Sequence, residues 1–283
     1  MKPMLKYRGG KSKELEEIKK FIPEYSGRYI EPFFGGGALF FDLEPNDAII
    51  NDINEPLMAF YMGVKNDFET VKNQLSEIQI QYEENRDDFE KRKADSNGDR
   101  VHDDNEELYY KMRDIFNGDG DDNIHEATVY YFINKTAYSG MIRYNKQGKF
   151  NVPYGRYKNF NTNLVTYEHH ELLKNSEIFA EDYSSIFEMA KSEDFMFLDP
   201  PYDCVFSDYG NKETKDGFTD EMHRKLAEDF KKLKCNALLV ISKPPLIEEL
   251  YGDMIVHEYE KSYAVNIRNR FKSEALHVLI TNY

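Results

Sequence analysis

Two hydrophobic patterns alternate along this chain. Short unbroken apolar blocks read as strands buried on both faces, and stretches with apolar residues three or four apart read as helices. Leu5-Lys6-Tyr7 is strand-like and precedes a turn at Arg8-Gly9-Gly10. A helix is predicted over 12–21, with Ile18 and Phe21 at helical spacing and Pro23 after it. Arg28-Tyr29-Ile30 reads as a strand running into Glu31-Pro32-Phe33-Phe34-Gly35-Gly36-Gly37, and a helix starts directly after the glycines at Ala38. Residues 48–52 form a second short buried strand that ends in Asp52. Helix then dominates 56–116, broken by a polar loop at 94–104, and the Asn-Gly-Asp-rich loop 117–122 marks a subdomain edge.

Residues 128–134 continue as helix and give way to extended pieces at 141–145 and 150–153, with a hairpin turn at Lys146-Gln147-Gly148. Strands return at 177–179 and 194–198, followed by a helix at 220–233, a strand at 237–242, and strand-like closing pieces at 254–259 and 275–281. This alternation predicts an open α/β sheet with an inserted subdomain and no internal repeat.

Composition changes the picture at one place. The 283 residues carry a net charge of −15, which argues against a polyanionic partner. The distribution reverses that. No Asp or Glu occurs from Ala127 to Tyr167, a stretch holding Lys135, Arg143, Lys146, Lys149, Arg156 and Lys158, with Tyr138, Tyr144, Phe150, Tyr154 and Tyr157 interleaved. Upstream, Glu83 to Glu126 holds sixteen acids against seven basic residues. The acid-free stretch has the make-up of a surface for phosphates and bases; the acidic one reads as solvated helices. No apolar run reaches the ~20 residues of a membrane span, and no signal-peptide core follows Met1. With two cysteines, Cys204 and Cys235, in neither disulfide nor metal spacing, a reducing cytoplasm is expected. The seven histidines show no metal pattern, and the adjacent His169 and His170 point apart.

Two motifs carry chemistry. Strand, glycine loop, helix is a general device for bringing backbone close to a nucleotide-like cofactor, and Asp52 sits near the offset at which an acid meets ribose hydroxyls. There is no Gly-Lys-Ser/Thr for a triphosphate. Asp199-Pro200-Pro201-Tyr202 follows the buried strand 194–198, at the edge where α/β sheets place ligands. A carboxylate and the Pro200 carbonyl can accept both hydrogens of an aromatic amine and aim its lone pair. The prolines fix that carbonyl, and Tyr202 offers a stacking face for an extruded base.

With these motifs in order, the chain resembles the Dam-type (D12 class, α group) N6-adenine-specific DNA methyltransferases along nearly its whole length. Leu5 to Lys11 is similar to the opening motif, although Tyr7 stands where tryptophan is common and Arg8 where a small residue is. Glu31 to Gly37 resembles the cofactor loop, Asn51 to Asn54 the second-strand motif, and Glu181-Asp182-Tyr183 the acid–aromatic pair bordering the cofactor's adenine. Residues 138–145 and 150–158 look like the DNA-contacting hairpin, and Asp199 to Tyr202 the catalytic tetrapeptide.

The resemblance implies a class I S-adenosylmethionine-dependent methyltransferase fold, Rossmann-like. Residues 1–55 and 165–283 would form the catalytic, cofactor-binding domain, and 56–164 an inserted helical and β-hairpin target-recognition subdomain. It implies S-adenosyl-L-methionine bound by Tyr7, Lys11, Phe33, Gly35, Gly37, Asp52, Asp182, Tyr183 and Asp199, and catalysis by Asp199, Pro200 and Tyr202. Double-stranded DNA would be held by Tyr138, Arg143, Asn145, Lys149, Arg156 and Lys158, with GATC the recognition sequence expected first because Arg143 lies in the hairpin motif used there for guanine. A monomer without a metal is expected, and no restriction endonuclease partner is specified. An RNA base-amine methyltransferase, a cytosine-N4 enzyme and a non-catalytic sequence-specific DNA-binding protein remain rivals at this level. Arg268, Arg270 and Lys272 form a basic turn suited to phosphates or to a solvated hairpin tip.

Overall fold

The computed structural model describes residues 1–7, 9–120, 123–140, 142–202, 218–262 and 274–283. Arg8, Met141, Cys204 and the basic turn at Arg268, Arg270 and Lys272 lie outside the described residues.

Strands β1 (Tyr29–Glu31), β2 (Ala48–Asn51), β3 (Ser176–Phe179), β4 (Phe195–Leu198) and β5 (Asn236–Ser242) are parallel. Strand β7 (Glu274–Thr281) lies antiparallel between β5 and β6 (Ile255–Ser262), giving the order β3-β2-β1-β4-β5-β7-β6. The unbroken apolar runs follow from burial on both faces. Phe195 and Phe197 enter one core while Met196 and Leu198 enter the other, as strand alternation requires. Helices α3 (Glu55–Asn66), α6 (Glu126–Thr136) and α7 (Tyr167–Lys174) contribute to the first core; α8 (Tyr183–Met189), α9 (Asp220–Lys232) and α10 (Pro245–Tyr251) contribute to the second. The sheet reverses direction of winding at β1 and β4, so their carboxyl ends open a crevice.

Four differences from the sequence expectations have physical causes. Residues 5–7 are not a strand, because the Lys6 backbone is paired with an amide side chain instead: Lys6 N donates to Asn134 Oδ1 at 3.0 Å and Asn134 Nδ2 to Lys6 O at 2.9 Å. The helix over 12–21 shortens to α1 (Leu15–Ile18), which tightens into a 3₁₀ turn at Lys19–Phe21. The hairpin, described over 142–153, keeps its turn, with Asn145 N donating to Lys149 O at 2.8 Å, but only isolated bridges join its described arms to their partners. The Asn117 side chain occupies both backbone groups of Phe150, which ends the ladder. Helices α7, α8 and α10, of seven or eight residues, are shorter than the stretch over which helical periodicity stands out, and the sequence pattern does not predict them.

Helix α2 (Ala38–Leu43) follows the glycines as expected, and the helical stretch 56–116 resolves into α3, α4 (Phe68–Asp95) and α5 (Asp104–Phe116). In α4 Val71, Leu75, Ile78 and Tyr82 are buried at helical spacing, whereas no side chain beyond Tyr82 is buried. The acidic stretch is therefore solvated helix in that part, and α5 returns to the core through Leu108, Tyr109 and Met112. No helix among the described residues is long and apolar enough to cross a membrane.

Candidate active site

The carboxyl ends of β1, β2 and β4 frame one cavity of about 450 Å³, lined by Tyr7, Lys11, Phe33, Gly35, Gly37, Asp52, Asp182, Tyr183, Asp199, Pro200 and Tyr202. All the residues expected at the cofactor and the reacting base thus face one space, from chain segments far apart in sequence.

The glycine loop is held from three directions. Gly35 and Gly37 adopt φ of 49° and 63°, where a side chain is strained. A Cβ on Gly35 would lie 2.7 Å from the Tyr7 ring, and one on Gly37 2.4 Å from Phe34. The tight approach that excludes a side chain at Gly35 is thus made by Tyr7, which packs on the loop. Tyr61, from α3, donates to Gly35 O at 3.0 Å. Asp52 accepts from Gly35 N at 2.9 Å through one oxygen and from Asn54 N at 3.0 Å through the other. Burial raises the Asp52 pKa, and these two hydrogen bonds act against the rise. Each oxygen keeps a lone pair for a hydroxyl donor.

At the adenine-binding end expected from Asp182 and Tyr183, the rings of Phe33 and Tyr183 stand 5.4 Å apart and Phe218 meets Phe33 edge-on. The Tyr183 hydroxyl, pushed up to about 12 by burial first and by Asp229, donates to Asp229 at 3.0 Å and accepts from Lys225 at 3.1 Å. Asp182 is exposed and caps α8 through Ser184 N at 3.0 Å.

At the end of β4, Asp199 Oδ2 receives Lys11 Nζ at 2.6 Å, and Tyr202 OH donates to Oδ1 at 3.3 Å. Lys11 also donates to Gly9 O and stands 4.9 Å above the Tyr202 ring. Burial raises the Asp199 pKa, and the Lys11 charge and hydrogen bond oppose it. Lys11, expected against the cofactor, lines the cavity and is also the partner of the tetrapeptide carboxylate. Glu31 also lines the cavity, buried, with Tyr29 OH donating to it at 2.6 Å. Burial drives its pKa well above the carboxylate range, and the Asp199 charge adds to this.

Sequence reasoning missed Phe218 and Met222, which line the cavity, and the role of Asn51, which does not line it. The Asn51 amide donates to Pro32 O and Glu181 O and accepts from Glu181 N, tying the loops after β1 and β3 together. An asparagine ending a buried strand is the only local signal it leaves.

The acid-free segment divides. Tyr138, Arg143 and Lys158 are exposed. Arg143 Nε donates to Asn151 Oδ1 at 2.9 Å. The Asn145 carbonyl accepts from Gln147 N and Lys149 N, so this side chain builds the turn. Lys149 pairs with Asp119, and Arg156, at φ 53°, with Glu106 at 3.1 Å. Phe150 and Tyr154, expected among surface aromatics, are core residues at 2% and 5% exposure: Phe150 packs on Phe116, and the Tyr154 hydroxyl meets that of Tyr82. Among the described residues, the one group that could share a metal is His102, Asp104 and Glu107, which lies outside the cavity, with Asp104 paired to Arg92.

A parallel sheet closed by one antiparallel strand in the order β3-β2-β1-β4-β5-β7-β6, with a glycine loop after β1 and Asp-Pro-Pro-Tyr after β4, defines the class I S-adenosylmethionine-dependent methyltransferase fold. Within that class, residues 7–267 match the D12 class N6 adenine-specific DNA methyltransferases, and the chain belongs to that family. It is 35% identical to the type II methyltransferase M.CviBI of Paramecium bursaria Chlorella virus NC1A, over the whole of both chains. It is also 35% identical to the type II methyltransferase M.MjaIII of Methanocaldococcus jannaschii, covering all of this chain and 99% of that one. The DNA adenine methylase of Escherichia coli K12 is 29% identical over 70% of this chain and 64% of its own length. The protein is an adenine-specific DNA methyltransferase, and DNA is its substrate.

Proposed function

We propose that the enzyme binds S-adenosyl-L-methionine and an adenine flipped from duplex DNA together in the cavity, and that Asp199, Pro200 and Tyr202 act on the base. The observation that carries this reading is the common opening of the glycine loop and the Asp199 carboxylate onto that one space. The donor set fits the cofactor: an aromatic surface made by the contacting rings of Phe33 and Tyr183, a carboxylate with free lone pairs at Asp52, and a loop too tight for side chains at Gly35 and Gly37. A volume near 450 Å³ lies within the range of small-molecule sites. When bound, the cofactor supplies a methyl group on a sulfonium, already activated for transfer without a metal.

The chain's own residues hold the amine. Asp199 and the Pro200 carbonyl accept its two hydrogens, which aims the nitrogen lone pair at the methyl carbon. The Lys11 ammonium, 2.6 Å from Asp199, favours its accepting, ionised form against the pull of burial. Tyr202 stacks on the base and offsets the few kcal/mol that flipping costs. The segment 56–164 serves as the recognition subdomain, with Tyr138, Arg143, Asn145, Lys149, Arg156 and Lys158 on the DNA side and GATC as the sequence read. The enzyme acts as a monomer in the cytoplasm. Asp199→Ala, measured as methyl transfer from tritiated cofactor to duplex DNA, is expected to be inactive while folded. Turnover near that of the wild type would remove Asp199 from the chemistry.

A further inference from the structure

Behind the cavity, outside its lining, lies a buried charged cluster that the reaction described above does not use. Glu14 is 5% exposed. One of its oxygens accepts from Lys261 Nζ; the other accepts from Tyr259 OH at 2.6 Å and lies 3.2 Å from His277 Nδ1. Three side chains from β6 and β7 thus converge on one carboxylate supplied by the N-terminal segment. Burial alone would raise its pKa, but the close approach of His277, the hydrogen bonds from Lys261 and Tyr259 and the Lys11 charge bring it down to about 2, so it is ionised at neutral pH.

The cluster reaches both halves of the tetrapeptide. Glu14 N donates to Lys11 O at 2.7 Å, closing the turn that presents Lys11 to Asp199. On the other side, the wholly buried His277 ring meets the Tyr202 ring edge-on, with centroids 5.2 Å apart and planes at 87°. Tyr202 therefore has Lys11 over its face and His277 against it, and Glu14 touches the supports of both.

We propose that Glu14 is a positioning residue for methyl transfer, holding Lys11 through the backbone and Tyr202 through His277 so that the Asp199 carboxylate and the stacking ring keep a fixed relation. The inference rests on the assignment of Asp199 and Tyr202 as the groups that act on the base. A carboxylate serving only to stitch α1 to β6 and β7 would affect stability and leave the chemical step alone.

The experiment uses full-length Glu14→Gln and His277→Phe, with Asp199→Ala alongside. Single-turnover methylation is measured on a duplex carrying the site that wild-type enzyme methylates, and fluorescence lifetimes on the same duplex with 2-aminopurine at the target base. In folded Glu14→Gln the methyl-transfer rate is expected to fall about 10- to 100-fold, with KM for the cofactor changed less than about threefold and an altered 2-aminopurine lifetime. His277→Phe, which keeps a ring and loses Nδ1, is expected to change the rate and the lifetime in the same direction; it decides the matter if Glu14→Gln does not fold. Rates and lifetimes equal to wild type in the folded variants, whatever their melting temperatures, would overturn the proposal. An active Asp199→Ala would instead overturn the assignment beneath it.

Discussion

Asp52 shows how one side chain serves both the fold and the ligand. Its two oxygens take backbone N–H groups from Gly35 and Asn54, which fixes the glycine loop to the end of β2. Asp52 also lines the cavity, where ribose hydroxyls are expected. Removing the carboxylate therefore costs the ligand an acceptor and loosens the loop. Asp52→Ala is expected to weaken cofactor binding by roughly 1.5–3 kcal/mol, the value of hydrogen bonds to a charged group. Gly35→Val is expected to weaken it as well, because a Cβ there meets the Tyr7 ring and the backbone sits at positive φ. Calorimetry finding wild-type affinity in both folded variants would place the cofactor elsewhere.

At the level of elements, the hairpin after α6 separates residues that build it from residues that project. Asn145 closes the turn through Gln147 N and Lys149 N, while Arg143 is exposed and held by Asn151 at its Nε. A guanidinium can read guanine O6 and N7 with a planar fork. Arg143→Ala is expected to cost about 1–3 kcal/mol at one base position and to relax preference there. Lys158→Ala is expected to weaken binding to all sequences alike and to flatten its salt dependence. Methylation rates over singly substituted sites distinguish them; an unchanged rank order for Arg143→Ala would make it a phosphate contact.

Local patterns made much of this legible beforehand. The tetrapeptide, the glycine loop and most strands announce themselves within a few residues, because backbone strain and two-sided burial act locally. What the sequence hid is long-range. Lys11 reaches Asp199 across 188 positions, and Asn51 reaches Glu181 across 130. Phe150 and Tyr154 look like surface aromatics until α5 and α4 pack over them. The short helices α7, α8 and α10 take their stability from tertiary packing on their neighbours rather than from their own periodicity.

Across the whole molecule, a net charge of −15 coexists with an acid-free, basic segment from Ala127 to Tyr167. Glu106 of α5 and Asp119 of the loop after it pair with part of that charge, at Arg156 and Lys149. Both pairs are largely solvated, so each is worth about 0–1 kcal/mol to the fold and breaks readily for a phosphate. Glu106→Gln and Asp119→Asn together are expected to tighten binding to duplex DNA of any sequence and to steepen its salt dependence, with little change in stability. Filter binding across a salt series checks this, and unchanged affinity at low salt would show that neither pair competes with DNA.

The cavity joining these parts makes one claim above the rest, that Asp199 directs a methyl group to adenine N6 in duplex DNA. Nucleoside mass spectrometry tests it most directly, on unmethylated duplex DNA incubated with isotopically labelled S-adenosylmethionine and either wild-type protein or Asp199→Ala. Labelled N6-methyladenine with the wild type and none with the folded variant is the predicted result. Labelled N4-methylcytosine in its place, or equal N6-methyladenine from both proteins, would contradict the account.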